Sequence, residues 1–365
     1  MGRIRAGVLV GVVAAMTVSA CSPATSSTDG SVRSGAVVAT TSPVTATTTP
    51  EPTATGEVEQ APESGEARIS FGGDVHFAGS SAAGLNGDLG TAFKPLKKAD
   101  LAIVNLETAI TDGGVPEPKE FTFRAPAKAL TALKENGVDV VTVANNHGMD
   151  YGPEGLADTL AAGKKAKLPM IGIGENVTEA FAPFRSTVNG VDISVIGATD
   201  VLDNFALGTW TATDSQPGLA SAKVEGLLAE AVRKAAAESD VVVVVLHWGV
   251  ETQSCPTQRQ RDLAAELKEA GAQVIVGSHA HVLEPYEEEG NTAIHYGLGN
   301  FVFYATKAQS IRSGVYDVVV DQDGVVDTKW NPAQIRSGRP QLLTGSDAKA
   351  AGAYLSQLAK QCGVD

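Results

Sequence analysis

From Ala67 onward, short apolar runs alternate with stretches of helical spacing. Arg68 to Gly72, Leu101 to Leu106, Val138 to Ala144, Val191 to Gly197, Val241 to Leu246 and Val274 to Gly277 predict buried strands. Between them, Gly155 to Ala166, Lys223 to Glu238 and Thr257 to Ala270 repeat apolar residues at helical intervals. After Gly277 the pattern changes. Thr292 to Gly297, Gly314 to Val320 and Val325 to Trp330 read as strands, the last two joined by the turn Asp321-Gln322-Asp323-Gly324. A βαβ-rich half followed by hairpins predicts an α/β fold, a mixed β-sandwich flanked by helices. A last helix is expected over Ser346 to Gln361, and there is no internal repeat of about 20 to 50 residues.

The amino terminus has a different pattern. Arg3 and Arg5 precede a run of small and apolar residues from Ala6 to Ala20, which predicts a secretory signal over residues 1–20. The run falls short of the roughly 20 apolar residues that a helix needs to cross a bilayer. Its end, Val18-Ser19-Ala20-Cys21, resembles a bacterial lipobox, so Cys21 is the expected lipidation site. The expected location is extracytoplasmic, with the membrane reached through an N-terminal lipid. Residues 21–66 are rich in Ser, Thr and Pro and predict a solvated tether. A folded domain is expected over 67–345, and a helix and tail over 346–365.

Composition narrows the function classes. Hydrophobic residues at 43% and charged residues at 19% exclude a wholly disordered chain. Lys+Arg 28 against Asp+Glu 42 gives a net charge of −14, which repels phosphate backbones and argues against nucleic acid as a partner. Besides Cys21 there are only Cys255 and Cys362, which outside the cytoplasm can form one bridge. The sequence leaves their separation open, and no CxxC spacing suggests a cysteine metal site.

The candidate chemistry lies in the six histidines, each at or beside the end of a predicted strand or in a strand-like run. In α/β sheets ligands bind outside the carboxyl ends of strands, where loops converge. In Gly73-Asp74-Val75-His76, residues two apart in an extended segment point the same way, so Asp74 and His76 can address one cation. Glu107 closes the run Asn105-Leu106-Glu107, where a carboxylate can bridge cations or stabilise a helix start. Asn145-Asn146-His147-Gly148-Met149-Asp150 follows a buried run: the Asn146 amide oxygen is a hard ligand, His147 can donate a proton, and Asp150 can hold its tautomer. His247 should emerge at the top of a buried strand, and His279 and His281 are again two apart. Each group alone also fits an ordinary hydrogen-bonded turn or core histidine.

Taken in order, these motifs resemble the calcineurin-like metallophosphoesterases. More closely, Gly73-Asp74, Asn105-Leu106-Glu107, Ala144-Asn145-Asn146-His147, His247-Trp248-Gly249, His279-Ala280-His281 and Tyr296-Gly297-Leu298-Gly299-Asn300-Phe301 resemble the CapA family, associated with bacterial poly-γ-glutamate capsules. The likeness implies a metallophosphoesterase-like fold and two divalent metal ions, Mn, Fe or Zn. Asp74, His76, Glu107 and His281 would hold one, and Glu107, Asn146, His247 and His279 the other. It further implies hydrolysis of an anionic phosphoester or capsule-polymer substrate, with His147 and Asp150 as the catalytic pair. Asn145, His295 and Asn300 would flank the site; separately, Arg124 in Phe121-Thr122-Phe123-Arg124 can meet an anionic substrate or form an ordinary surface salt bridge. The alternative is a non-catalytic, metal-dependent polymer-binding or export subunit. Two features depart from the pattern. Glu107 stands where the superfamily usually has Asp, and Ala280 replaces the proline of a His-Pro-His common in CapA-type chains.

Overall fold

A computed structural model describes residues 65–364; the predicted leader, Cys21 and nearly all of the predicted tether lie outside the described residues. Two β-sheets pack face to face, with helices covering both outer faces. The first sheet runs, in spatial order, Arg339–Leu342, Gly324–Arg336, Arg312–Asp321, Ala67–Val75, Leu101–Leu106, Val140–Thr142 and Met170–Ile171, with Asn300–Val302 also paired to Ala67–Val75. The second runs Tyr286–Glu289, Thr292–His295, Val274–Ser278, Val241–His247, Val191–Thr199 and Phe184–Val188. In the second sheet parallel strands form the middle and antiparallel hairpins both edges; in the first, the strands from Ala67–Val75 to Met170–Ile171 are parallel and those from Ala67–Val75 to Arg339–Leu342 antiparallel, so the expected mixed sandwich flanked by helices is the observed fold.

Side-chain alternation produces this layering. Along Val241–His247, Val241, Val243 and Val245 enter the core between the sheets with Ile69, Phe71, Leu101 and Ile103. Val242, Val244 and Leu246 face outward and pack on the helices Leu227–Ala236 and Gln258–Ala270. On the other side, Ala102, Val104 and Leu106 pack on Leu130 and Leu133 of the helix Lys128–Glu135 and on Leu156 of the helix Gly152–Ala166. Strands buried on both faces are continuous apolar runs, which is why they are easily read from the sequence.

Several element boundaries differ from expectation. Val138 to Ala144 shortens to Val140–Thr142, because the Val138 N–H closes the preceding helix on the Leu133 carbonyl and the chain turns again at Asn145. Lys223 to Glu238 becomes Leu227–Ala236, because Gly226 at φ 77° starts the helix late. The helix Gln258–Ala270 starts after Thr257, whose side chain and that of Gln260 form a reciprocal capping box. The last helix spans Gly345–Cys362 and seats Leu355 and Leu358 against Leu283 and Trp330. Its final residue forms a disulfide with Cys255, which resolves the pairing that the sequence left open.

Candidate metal centre

The parallel strands of both sheets end at one rim, and the predicted chemistry gathers there. Gly73 sits at a shift in register between Ala67–Val75 and Leu101–Leu106. A Cβ at this position would lie 1.9 Å from the Gly299 carbonyl oxygen, so only glycine allows the two chains to approach. The irregularity aims Asp74 into the rim, where its backbone N–H donates to that same carbonyl at 3.0 Å. Glu107 lies one residue beyond Leu101–Leu106, held by its N–H on the Val75 carbonyl at 2.8 Å. From the second sheet come His247, the last residue of its strand, and His279 and His281 just after Ser278. His279 at φ 96° and His281 at φ 55° adopt backbone conformations that L-residues rarely take. Such strain costs on the order of 1–3 kcal/mol per residue and persists where the surroundings enforce it.

Two ligand sets share one carboxylate. Asp74, Glu107 and His281 bring ligand atoms within 4.8 Å of one another, and so do Glu107, His247 and His279. Glu107 Oε1 lies 3.6 Å from His247 Nε2 and 3.7 Å from His281 Nε2. Asn146 Oδ1 is 2.9 Å from His247 Nε2. A further network orients these groups. Asn145 Nδ2 donates to Asn105 Oδ1 at 3.0 Å, and Asn105 Nδ2 donates to Asp74 Oδ1 at 2.8 Å. His247 Nδ1 is engaged at 3.1 Å by both Asn105 Nδ2 and Ser278 Oγ, so only its Nε2 is left for the cavity.

Buried polar atoms without partners indicate what the cluster accepts. Both carboxylate oxygens of Glu107 and Nδ1 of His279 are buried and lack a hydrogen-bond partner. Leaving such atoms unmet is costly, and a cation would satisfy them together. Oxygen and imidazole donors without thiolate fit divalent ions of the Mn, Fe or Zn kind. Charge points the same way. Burial, with the neighbouring Asp74 charge, raises the Glu107 pKa well above the usual carboxylate range. Burial opposes protonation of His281, but Glu107 and Asp74 overcome it and raise its pKa to about 10. Burial lowers the pKa of His279 to about 3 and that of His247 well below the usual range, leaving both neutral, as ligands must be.

His147 lies beside this cluster. Its Nδ1 donates to Asp150 Oδ2 at 2.6 Å, while its Nε2 stands 4.0 Å from Glu107 Oε1 and faces the ligands. Burial lowers its pKa, against the opposing effect of Asp150. Lys119, which sequence reading missed, pairs with Asp150 Oδ1 at 2.9 Å and reaches the Asn146 carbonyl. It lies on an irregular loop with no local motif, so only the tertiary structure reveals it. Asn105 was also missed as a functional residue, although a polar side chain in an apolar strand two positions from Glu107 was a usable signal.

The remaining predicted residues are placed unevenly. His76 is not part of either three-residue set. Its Nδ1 is taken by the Ala78 N–H at 3.1 Å and lies 3.0 Å from Ser81 Oγ, while Phe123, Phe303 and Tyr304 pack around the ring. Asn145 braces Asn105, and Asn300 Oδ1 lies 3.0 Å from His281 Nδ1, so both adjoin the ligands. Two residues are not brought in. His295 points into the core, where Tyr286, Tyr316 and Trp330 surround it and burial lowers its pKa to about 3. Its strand directs alternate side chains inward, and that periodicity carries it away from the rim. Arg124 is exposed and lies over the Tyr151 ring, with its guanidinium near the Asp112 carbonyl.

Fold and cluster together define a helix-covered β-sandwich that carries a set of cation-type ligands where the strands of both sheets end. A family model described as bacterial capsule synthesis protein PGA_cap matches residues 68–305, and the chain belongs to that family. The PGA biosynthesis protein CapA of Bacillus subtilis is 35% identical over 223 residues, covering 61% of this chain and 57% of the relative. The capsule biosynthesis protein CapA of Bacillus anthracis is 35% identical over 232 residues, covering 62% and 55%. The chain thus spans a little over half the length of these curated relatives. Among solved structures, a phosphatase from Mycoplasma pneumoniae matches with a TM-score of 0.48 at 18% identity, covering 74% of this chain and 94% of that one. A hypothetical protein from Thermus thermophilus also gives 0.48, at 17% identity, covering 74% and 100%. Likenesses of that degree assign no chemistry here.

Proposed function

We propose that this chain hydrolyses phosphoesters at a centre of two divalent cations and serves the synthesis of a capsule or envelope polymer, held to the membrane through a lipid on Cys21. One cation would lie among Asp74, Glu107 and His281. The other would lie among Glu107, His247, His279 and Asn146. The observation that carries this reading is Glu107, a buried carboxylate with neither oxygen hydrogen-bonded, common to both ligand sets. When bound, such ions neutralise charge developing on a phosphoryl group and lower the pKa of water.

The chain's own residues account for the rest. His147 Nε2 faces the ligands and is placed to give a proton to the leaving oxygen. Asp150 receives Nδ1–H and holds the ring in the orientation that leaves Nε2 directed at the cluster. Phe123 packs at a tilt against the rings of both His147 and His76 and walls that side against water. Asn145, Asn105 and Ser278 keep the ligands aimed before anything binds.

The test is to strip the protein of metal, reload it separately with Mn²⁺, Fe²⁺ or Zn²⁺, and measure cleavage of an aryl phosphate ester. Turnover that requires a metal, and disappears in His147→Ala with metal content intact, supports the proposal. Absence of turnover with all three metals overturns hydrolysis, and metal-dependent polymer binding in its place would identify a non-catalytic subunit.

A further inference from the structure

Glu251 belongs to neither ligand set that the family resemblance implies. It lies just beyond His247, in the turn that leaves the strand Val241–His247, and it is exposed at the mouth of the cluster. Its carboxylate nevertheless forms a third group with His279 and His281, with all ligand atoms within 4.8 Å of one another.

The backbone around it is fixed at successive points. Gly249 turns at φ 89°, where a Cβ would lie 2.9 Å from the Gln260 side-chain amide. Thr252, at φ 64°, donates its N–H to the carbonyl of Ala280 at 2.7 Å, the residue between the two histidines. Three residues later the disulfide joins Cys255 to Cys362 at the end of the last helix. An exposed glutamate ordinarily has wide rotamer freedom, and an ordered position for it opposes that entropy. Here the loop is tied directly to the segment that presents the imidazoles, so the backbone holds the base of the Glu251 side chain within reach of the rings. One of the two rings in that group, His279, is buried and has an unpaired Nδ1.

We infer that Glu251 is a third carboxylate ligand of the metal centre, joining His279 and His281 from the mouth side. This rests on the metal-binding part of the proposed function and extends it. With Asp74 and Glu107 it brings the carboxylates to three, which offsets most of the charge of two divalent ions and favours oxygen-preferring metals such as Mn²⁺.

The test uses binding and spectroscopy, independent of turnover. Wild type and Glu251→Gln are titrated with Mn²⁺ by calorimetry, and each is loaded with Co²⁺ for its visible ligand-field spectrum. The metal-free proteins should melt together, since the altered side chain is exposed. We expect the variant to bind one Mn²⁺ equivalent at least about tenfold more weakly, and the Co²⁺ band to change in position or intensity. Unchanged affinity overturns the assignment. Weaker binding with an unmoved Co²⁺ band also overturns it, by showing attraction through space without ligation. Failure of wild type to bind any metal would overturn both this inference and the proposed function, whereas normal wild-type binding with an indifferent variant overturns this inference alone.

Discussion

The imidazole of His147 and the carboxylate of Asp150 are joined by a 2.6 Å hydrogen bond three residues apart in the chain, and Asp150 also accepts the Phe123 N–H at 2.6 Å. The carboxylate thus fixes the ring and anchors the loop that carries that aromatic. Replacing His147 with Ala should lower phosphoester turnover by about 10²- to 10⁴-fold, with metal content unchanged. Asp150→Asn should lower kcat in the same direction and also reduce the melting temperature, since a buried group with several partners is altered. Steady-state kinetics, elemental analysis and calorimetric melting check these outcomes; a fall in metal content in His147→Ala would show that the ring is a ligand.

Lys119 supplies a positive charge beside this pair, 3.4 Å from His147 Nδ1. Burial is the main cause of the lowered His147 pKa, and the Lys119 charge adds to it. A proton donor works below its pKa, so removing the charge should extend activity upward in pH. In Lys119→Met the alkaline limb of the kcat profile should move to higher pH, while the wild-type limb stays lower.

Metal should stabilise the fold. An ion that binds only the native state at a free concentration 100 times its Kd contributes about 2.7 kcal/mol, which raises Tm by several degrees in a domain of this size. Chelation of the wild type should therefore lower Tm. Glu107→Gln should show little response to Mn²⁺, because the carboxylate common to both ligand sets is gone. Differential scanning calorimetry with and without EDTA provides the comparison.

Glu284 is a separate buried carboxyl group. Burial raises its pKa from 4.5 to about 8, against the lowering effect of the Gln260 amide, which donates to both of its oxygens. Above about pH 4.5 the unfolded chain has released a proton that the native state retains until about pH 8. Its contribution to stability therefore falls as pH rises through that window and is flat on either side. Glu284→Gln should remove on the order of 3 to 5 kcal/mol of this slope and leave the variant more stable than wild type at pH 9. Urea denaturation at pH 5, 7 and 9 reads the difference directly.

The bond between Cys255 and Cys362 closes a separation of 107 residues. Constraining so long a loop in the unfolded chain stabilises by about 2 to 4 kcal/mol. The double variant Cys255→Ser/Cys362→Ser should unfold at correspondingly lower urea, with wild type approaching it under reductant. Coincident midpoints for oxidised and reduced wild type would count against the bond's contribution.

Continuous apolar runs such as Val241 to Leu246 made the central strands and their order readable from the chain, because strands covered on both faces need no polar residues. The clustering at the rim was legible for a related reason: Asp74, Glu107, His247, His279 and His281, the candidate ligands, interrupt or end those runs. Two signals were weaker. Lys119 and Glu251 reach the rim from irregular loops, whose paths depend on contacts far away in sequence. His295 shows the converse error, since a histidine in a strand looks the same whether it turns toward the rim or into the core, and only the register with Val276 and Tyr286 decides.

The candidate ligands come from both sheets, Asp74 and Glu107 from one and His247, His279 and His281 from the other, while elsewhere the two leaves are joined largely by apolar packing. An occupied centre is therefore also a rivet. Its loss would be felt first as looser loops along that single edge, opening them to a protease while the far end of the sandwich, where Gly65 enters, stays shut.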